Sequence, residues 1–309
     1  MITGALGHIG AALIRNLDDS LFDEVVLLDN LLSQRFPSLY NLPKKKFKYR
    51  FLREDILTFD FDTYFKDHST QALVHLAAIT DAAHSHEIPE QVEIVNFKGL
   101  QRVADACLKN KVKLLFPSST SVYGSAEEKV DETSKLKPQS PYAEAKLNAE
   151  KHIQKLGKKG LKFVICRFGT IFGQSVGTRY DTAVNRFTWQ AVTGQPITVW
   201  KTAWKQRRPY LYLGDCVAAI NFILKKDLFD REIYNVLTQN FTVEDVATTI
   251  KKYIPTMAVN YVDSPIMNQL SYDVDDTKFR KLGFKPSGDL KKGVGEKIAS
   301  LAAIIEKGE

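Results

Sequence analysis

Apolar residues in the first half of this chain come in short unbroken runs. Val25, Val26, Leu27 and Leu28 form one, closed by Asp29, and Ala72, Leu73, Val74, His75 and Leu76 form another. Two more lie at 113–116 and 162–166. Runs of this length without alternation suit strands covered on both faces. Between them, residues 11–17, about 91–110 and about 142–156 read as helices. Residues 47–52 alternate instead, with Phe47, Tyr49 and Phe51 at every second position of a further strand. Strand and helix in alternation predict an α/β fold around a parallel sheet.

Beyond Arg167 the pattern loosens. Residues 183–193 read as a helix, and Pro196, Ile197, Thr198, Val199 and Trp200 as a short strand. Tyr210, Leu211, Tyr212 and Leu213, with the helix after Asp215, are expected to return to the main sheet. Thr242 can cap another helix. The expected division is a main domain of 1–166 plus about 209–232, and a smaller lobe of 167–208 plus 233–309.

The 309 residues are 44% hydrophobic and 26% charged, enough for a large core and typical of a globular protein. No apolar run approaches the ~18 residues of a membrane span, and no charged N-terminal segment leads into an apolar one. The expectation is a cytoplasmic protein with no membrane partner. Cys107, Cys166 and Cys216 are odd in number and far apart, which suits reduced thiols, and no histidine takes zinc-ligand spacing, so no metal is expected. The net charge of +7 and the stretch Lys44 to Phe51 raise nucleic acid as a partner. Its period of two reads better as a basic turn feeding a strand, and a positive field also attracts a small anionic substrate.

The chemistry is concentrated in two places. Tyr142 and Lys146 follow Ser140 and Pro141, a capping serine and a first-turn proline. One helical turn sets them roughly 6 Å apart on one face. A free tyrosine has a pKa of about 10; a nearby ammonium favours the phenolate and makes Tyr142 a candidate general base. At the start of the chain, residues 3–10 read TGALGHIG, a strand-to-helix turn whose glycines allow a pyrophosphate to approach the backbone. Asp29 follows Gly10 by 19 residues, where a carboxylate accepts from the ribose hydroxyls and repels a 2′-phosphate. NAD is therefore expected over NADP. Only Met1, Ile2 and Thr3 precede Gly4, so either residues are missing upstream or the first strand is unusually short.

Taken in order, these motifs resemble the extended short-chain dehydrogenase/reductase family, in particular its nucleotide-sugar epimerase/dehydratase group. The resemblance runs over nearly the whole length. It continues through LLDN at 27–30, Asp55 and Ile56, HLAA at 75–78, Asn96, SSTSVYG at 118–124, PYAEAK at 141–146, RFGTIFG at 167–173 and the segment 208–215. It implies a Rossmann fold, a doubly wound parallel sheet with a smaller C-terminal α/β substrate-binding lobe. It also implies NAD as cofactor, a nucleotide-diphosphate sugar as substrate, and a homodimer. The implied cofactor positions are Gly4, Gly7, His8, Ile9, Gly10, Asp29, Asn30, Asp55, Ile56, Leu76, Ala77, Ala78, Asn96, Ser118, Tyr142, Lys146 and Phe168. Lys146 would hold the nicotinamide ribose and lower the pKa of Tyr142, and Ser119 would act as the catalytic serine. Arg208 would pair with the substrate diphosphate, with Thr80, Ser119, Thr170 and Tyr272 as further substrate contacts.

The reaction is narrowed by what stands beside Ser119. The family's 4,6-dehydratases carry an Asp-Glu pair directly after the catalytic threonine, and its decarboxylases a Glu just before Val-Tyr-Gly. Here the residues are Thr120 and Ser121. Oxidation to a 4-keto sugar with hydride return to the other face needs no added acid, so a 4-epimerase is expected; residues 28–34, LDNLLSQ, also resemble UDP-galactose 4-epimerases. A reductase of a 4-keto nucleotide sugar is the alternative, and a non-catalytic NAD-binding scaffold a third reading. The chain departs from the pattern at Thr170, where epimerases usually have Asn, and no arginine lies between Arg231 and Arg280 to serve as a second phosphate ligand. The basic, aromatic stretch 200–208 replaces a glycine-rich turn and is expected to shape the nucleotide or sugar pocket.

Overall fold

The computed structural model describes residues 1–126, 128–263, 271–301 and 303; the end of the expected smaller lobe, 304–309, lies outside them, as does 264–270. The strands are β1 (Ile2–Thr3), β2 (Glu24–Leu28), β3 (Lys48–Leu52), β4 (Ala72–His75), β5 (Lys113–Ser119), β6 (Phe163–Phe168), β7 (Thr170–Phe172), β8 (Ile197–Trp200), β9 (Arg207–Tyr212), β10 (Ile233–Val236), β11 (Gln239–Thr242) and β12 (Val259–Val262). The helices are α1 (His8–Asn16), α2 (Phe61–Asp67), α3 (Pro89–Glu93), α4 (Leu100–Lys109), α5 (Pro141–Gly157), α6 (Ala183–Val192), α7 (Leu213–Lys225), α8 (Val243–Tyr253), α9 (Thr277–Arg280) and α10 (Leu290–Ser300).

Seven strands form one sheet in the order β10-β6-β5-β4-β1-β2-β3, and every pairing in it is parallel. The unbroken apolar runs explain this, because both faces are covered. On one face Leu13 and Ile14 of α1 and Val217 and Ile220 of α7 pack with Ile2, Leu27 and Cys166. On the other, Val103 of α4 and Ala149 and Ile153 of α5 pack with Leu114, Phe116 and Ile165. At about 1.5–3 kcal/mol for each fully buried Leu, Ile or Val, these two layers dominate the stability of the frame. This is the doubly wound Rossmann fold. The chain runs outward from β1 to β3 and then crosses to β4, so its direction of travel reverses between β1 and β4. A crevice opens there at the strand carboxyl ends.

Two strands fall elsewhere than expected. Residues 210–213 do not return to the main sheet: β9 pairs antiparallel with β11 and parallel with β7 in a separate three-stranded sheet. The edge beside β6 is filled by β10, whose Ile233 to Val236 pair with Ile165 to Phe168, although the expected division assigned these residues to the smaller lobe. Apolar alternation marks a strand without marking which sheet edge it will meet. The helix expected at about 91–110 begins at Pro89 and contains a wide, π-type turn over Ile94–Gly99. A second core, including Phe172, Phe187, Tyr210, Val246 and Val294, joins the three-stranded sheet to α6, α8 and α10.

Candidate active site

The glycine turn lies at the β1–β4 reversal. Gly4 has φ +64°, and a Cβ there would lie 2.5 Å from the Ala77 nitrogen; at Gly10 it would lie 2.4 Å from the Ala5 carbonyl oxygen. Neither position admits a side chain without moving backbone. Helix α1 begins after Gly7 with no side-chain cap, which leaves its first amides available to a phosphate. Asp29 is held at the end of β2 by Leu6 N–H at 3.0 Å and Leu31 N–H at 2.9 Å, one on each carboxylate oxygen. Each oxygen keeps a lone pair for a ribose hydroxyl. Asn30 donates to Asp55 at 2.9 Å, and Asp55 also accepts from Leu57 N–H, so the two acidic corners are tied together. Ile56 is buried beside them. The wide turn explains Asn96: it is buried and exchanges two hydrogen bonds with the backbone of Ile79, at 2.7 and 2.8 Å, fixing the segment that follows Leu76, Ala77 and Ala78. His8 turns its ring to Ser175 at 2.9 Å, and burial pushes its pKa down to about 3, so it is neutral. The uncapped turn, the anchored carboxylate and the close backbone packing that Gly4 and Gly10 permit fit a dinucleotide.

The side that carries Ser119, Tyr142 and Lys146 is built on α5 and the end of β5. Ser140 caps α5 by accepting from Ala143 N–H at 3.2 Å, and Pro141 is the first helical residue. That cap brings Tyr142 into the cleft and directs Lys146 inward. The Lys146 ammonium donates to the Pro117 carbonyl at 2.8 Å, 4.6 Å from the Phe116 ring centre and 5.9 Å from that of Tyr142. Burial lowers the Lys146 pKa to about 8, opposed by Glu150 one turn further on. Burial raises the Tyr142 pKa; the charge of Arg179 and then a hydrogen bond from Ser119 pull it back. In the structure, then, an arginine and a serine, both from outside α5, counter the desolvation of the phenol. Ser119 Oγ accepts from Ser121 at both its N–H, 3.2 Å, and its hydroxyl, 2.9 Å. With those contacts on its oxygen, the Ser119 proton is directed toward Tyr142 or a ligand.

Beneath this face lies a buried charged chain. Ser118 donates to Glu150, which receives Arg167 at 3.0 and 2.7 Å; Arg167 also donates to the Tyr123 hydroxyl at 2.9 Å, and Tyr123 to Asn235 at 2.8 Å. Glu150 and Arg167 are 1% and 2% exposed, so each is the other's compensation for lost water. Ser118 borders the cleft, but its hydroxyl is committed to Glu150.

A cleft of about 370 Å³ unites these groups with the smaller lobe. It is bordered on the cofactor side by Ile9, Leu76, Ala78 and Phe168, and on the other by Thr80, Thr170, Arg208 and Tyr272. Tyr272 donates to Thr120 at 3.3 Å. Gly4, Gly7, His8, Gly10, Asp29, Asn30, Asp55, Ile56, Ala77 and Asn96 stand outside this lining, around the turn and the ends of β2 to β4. Trp200 reaches the cleft from the aromatic, basic stretch. Arg179 and Glu150 carry no mark in the local sequence, and Arg167 opens the segment RFGTIFG without its pairing to Glu150 being visible there. Arg179 donates to the Thr80 carbonyl at 3.1 Å and pairs with Asp181 through both nitrogens of one edge, at 2.7 and 2.5 Å. A smaller cavity, about 280 Å³, lies near Phe22, Tyr64 and Thr70, and its lining contains none of Ser119, Tyr142 and Lys146.

Residues 1–236 match the model of the NAD dependent epimerase/dehydratase family. An uncharacterized UDP-glucose epimerase, YtcB of Bacillus subtilis (strain 168), is 30% identical over 99% of this chain and 98% of its own. The structure of MoeE5 in complex with UDP-glucuronic acid and NAD superposes with a TM-score of 0.83 at 26% identity, covering 98% of both chains. The Thermotoga maritima UDP-glucose 4-epimerase shares the fold at a TM-score of 0.88 and 23% identity, with 99% of both chains covered. The dinucleotide turn, the Ser119–Tyr142–Lys146 face and these matches agree: the chain belongs to the NAD-dependent epimerase/dehydratase family, of the extended short-chain dehydrogenase/reductase type, and uses NAD.

Proposed function

We propose that the chain catalyses the reversible 4-epimerisation of a nucleotide-diphosphate sugar, with UDP-sugars the first candidates. NAD at the glycine turn supplies the hydride acceptor and the returning hydride. Tyr142 takes the proton of the sugar 4-hydroxyl as carbon 4 becomes a ketone. Ser119, its oxygen engaged by Ser121, donates to the reacting oxygen or passes its proton to the phenol. Lys146 provides the cationic floor under both. The same groups then act in reverse on the other face of the ketone, returning the proton, so no acid or base is consumed. In this reading the seven-stranded sheet holds the cofactor and the smaller lobe the nucleotide sugar, with Arg208 on its diphosphate.

The carrying observation is the cleft that gathers Ser119, Tyr142 and Lys146 while Thr120 and Ser121 offer hydroxyls and no acid for elimination. Arg179 supports a narrower choice. It lines the cleft, and its Nη1 has no hydrogen-bond partner among the described residues while Nε and Nη2 hold Asp181, so it can meet a sugar with a carboxylate next to the reacting carbon, such as the UDP-glucuronic acid bound by MoeE5.

The test is incubation of purified protein with UDP-glucose, UDP-glucuronic acid and GDP-, CDP- and dTDP-sugars, without added reductant, followed by NMR. A 4-epimer formed on the protein's own NAD is expected. No epimer from these sugars, together with reduction of a 4-keto nucleotide sugar at the expense of one NADH or NADPH per turnover, would replace this reading with the keto-sugar reductase.

A further inference from the structure

Arg35 lies outside all the motifs used so far. It stands six residues after Asp29, just before a short 3₁₀ turn at Phe36–Leu39. That turn is pinned to the glycine turn and α1: Ser38 Oγ donates to the Leu6 carbonyl at 2.9 Å, and Arg15 donates to the Ser38 and Tyr40 carbonyls at 2.9 and 2.8 Å. The Arg35 backbone is therefore held in place.

Its guanidinium points at the turn. Arg35 Nη1 donates to the Gly177 carbonyl at 2.9 Å, and a Cβ built on Gly7 would come to 4.0 Å from the same nitrogen. The middle glycine of such a turn is bare so that a pyrophosphate can approach its backbone. Arg35 thus stands at the space into which a Gly7 side chain would point. The group is half-buried, and among the described residues it forms no ion pair. Asp29 and Asp181 act on it only through space, as does the like charge of Arg179. A guanidinium has five donors, and one carbonyl leaves most of them for an anion.

The partner carbonyl belongs to a strap across the turn. A Cβ at Gly177 would lie 2.7 Å from the Leu6 carbonyl oxygen and 2.8 Å from that of Gly7, so the two backbones touch. Two residues earlier, Ser175 Oγ donates to the His8 carbonyl at 3.0 Å. Two residues later the same segment delivers Arg179 to the cleft.

We infer that Arg35 is a ligand of the cofactor diphosphate, and that its bond to Gly177 makes the diphosphate an anchor for the strap that carries Arg179. This rests on NAD occupying the glycine turn and not on the epimerase reaction, so it stands or falls by binding measurements. Cofactor-stripped full-length protein is titrated with NAD and ADP, and with adenosine by competition, in wild type, Arg35→Ala and Arg35→Lys. Arg35→Ala should weaken NAD and ADP by about 10- to 100-fold, the range for hydrogen bonds to a charged group, and adenosine by less than about 3-fold; Arg35→Lys should fall between. Equal weakening of all three ligands would make Arg35 a prop of the turn, and unchanged NAD affinity would remove it from the site; either overturns the inference. Should Arg35→Ala fail to fold, Arg35→Gln keeps a donor for Gly177 without the charge, and the same ratio of diphosphate to adenosine affinities decides.

Discussion

The glycine turn and the sugar side of the cleft are made of different material. The turn, beside the cleft and outside its lining, forms a cofactor wall that is mostly backbone: bare glycines, uncapped amides and a carboxylate held by two N–H groups. The opposite wall is mostly the ends of long side chains, Arg179, Trp200, Arg208 and Tyr272, arriving from separate parts of the chain. Backbone geometry tolerates almost no change and so can serve only one ligand shape. Side-chain ends can be exchanged while the frame stands, which is how a family can keep its cofactor and vary its sugar.

Four substitutions sharpen or break this contrast. The largest effect is expected from Tyr142→Phe, which removes the acid–base oxygen where the walls meet. Turnover should fall on the order of 10³–10⁴-fold while NAD co-purifies undiminished; measurable epimer at near wild-type rate would end the assignment. Next is Gly10→Ala on the cofactor wall, whose methyl would press on the Ala5 carbonyl at 2.4 Å. A loss of about 1–3 kcal/mol in denaturant unfolding, with little NAD retained, is expected. Arg179→Gln, on the other wall, should leave NAD content intact. It should lower kcat/KM for UDP-glucuronic acid about tenfold more than for UDP-glucose, as for a lost charge-assisted bond; equal losses on both sugars would assign Arg179 to the fold alone.

The smallest effect concerns Lys297 of α10. Its ammonium is buried without a hydrogen-bond partner among the described residues, 4.1 Å from the centre of the Tyr180 ring, and burial lowers its pKa from 10.5 to about 8. The folded state is thus penalised while Lys297 is charged. Between about pH 8 and 10.5 the unfolded chain binds more protons, so this penalty is relieved as pH rises. Lys297→Met should stabilise by about 1 kcal/mol at pH 7, less whatever the Tyr180 contact contributes, and the advantage should shrink toward pH 10. Parallel denaturation curves at pH 7 and pH 9.5 read the difference.

The same contrast explains what could be read in advance. The strands from β2 to β6, the glycine turn, Asp29 and the Ser140 cap depend on neighbours within a few positions, so their residue types announce them. Asn96 was legible only through resemblance, because its partner Ile79 lies 17 positions away and its reach depends on a widened helical turn. The edge position of β10 and the exclusion of β9 follow from which strand meets β6, a tertiary outcome. Arg179 and Arg35 were invisible for the same reason. A lone arginine in a loop acquires meaning only from the wall it faces, and Arg35 faces residues that the chain brings together from positions 7 and 177.

The pleat of β5 sends two adjacent serines on separate errands, Ser118 down to the buried Glu150 and Ser119 up to the cleft. In evolutionary terms this separates what must be inherited from what can drift. Position 121, whose N–H and hydroxyl meet Ser119, does not touch the charged chain that holds β5, β6 and α5 in register. A lineage can therefore exchange the group beside Ser119, and with it the chemistry open to a keto sugar, while inheriting that chain unchanged.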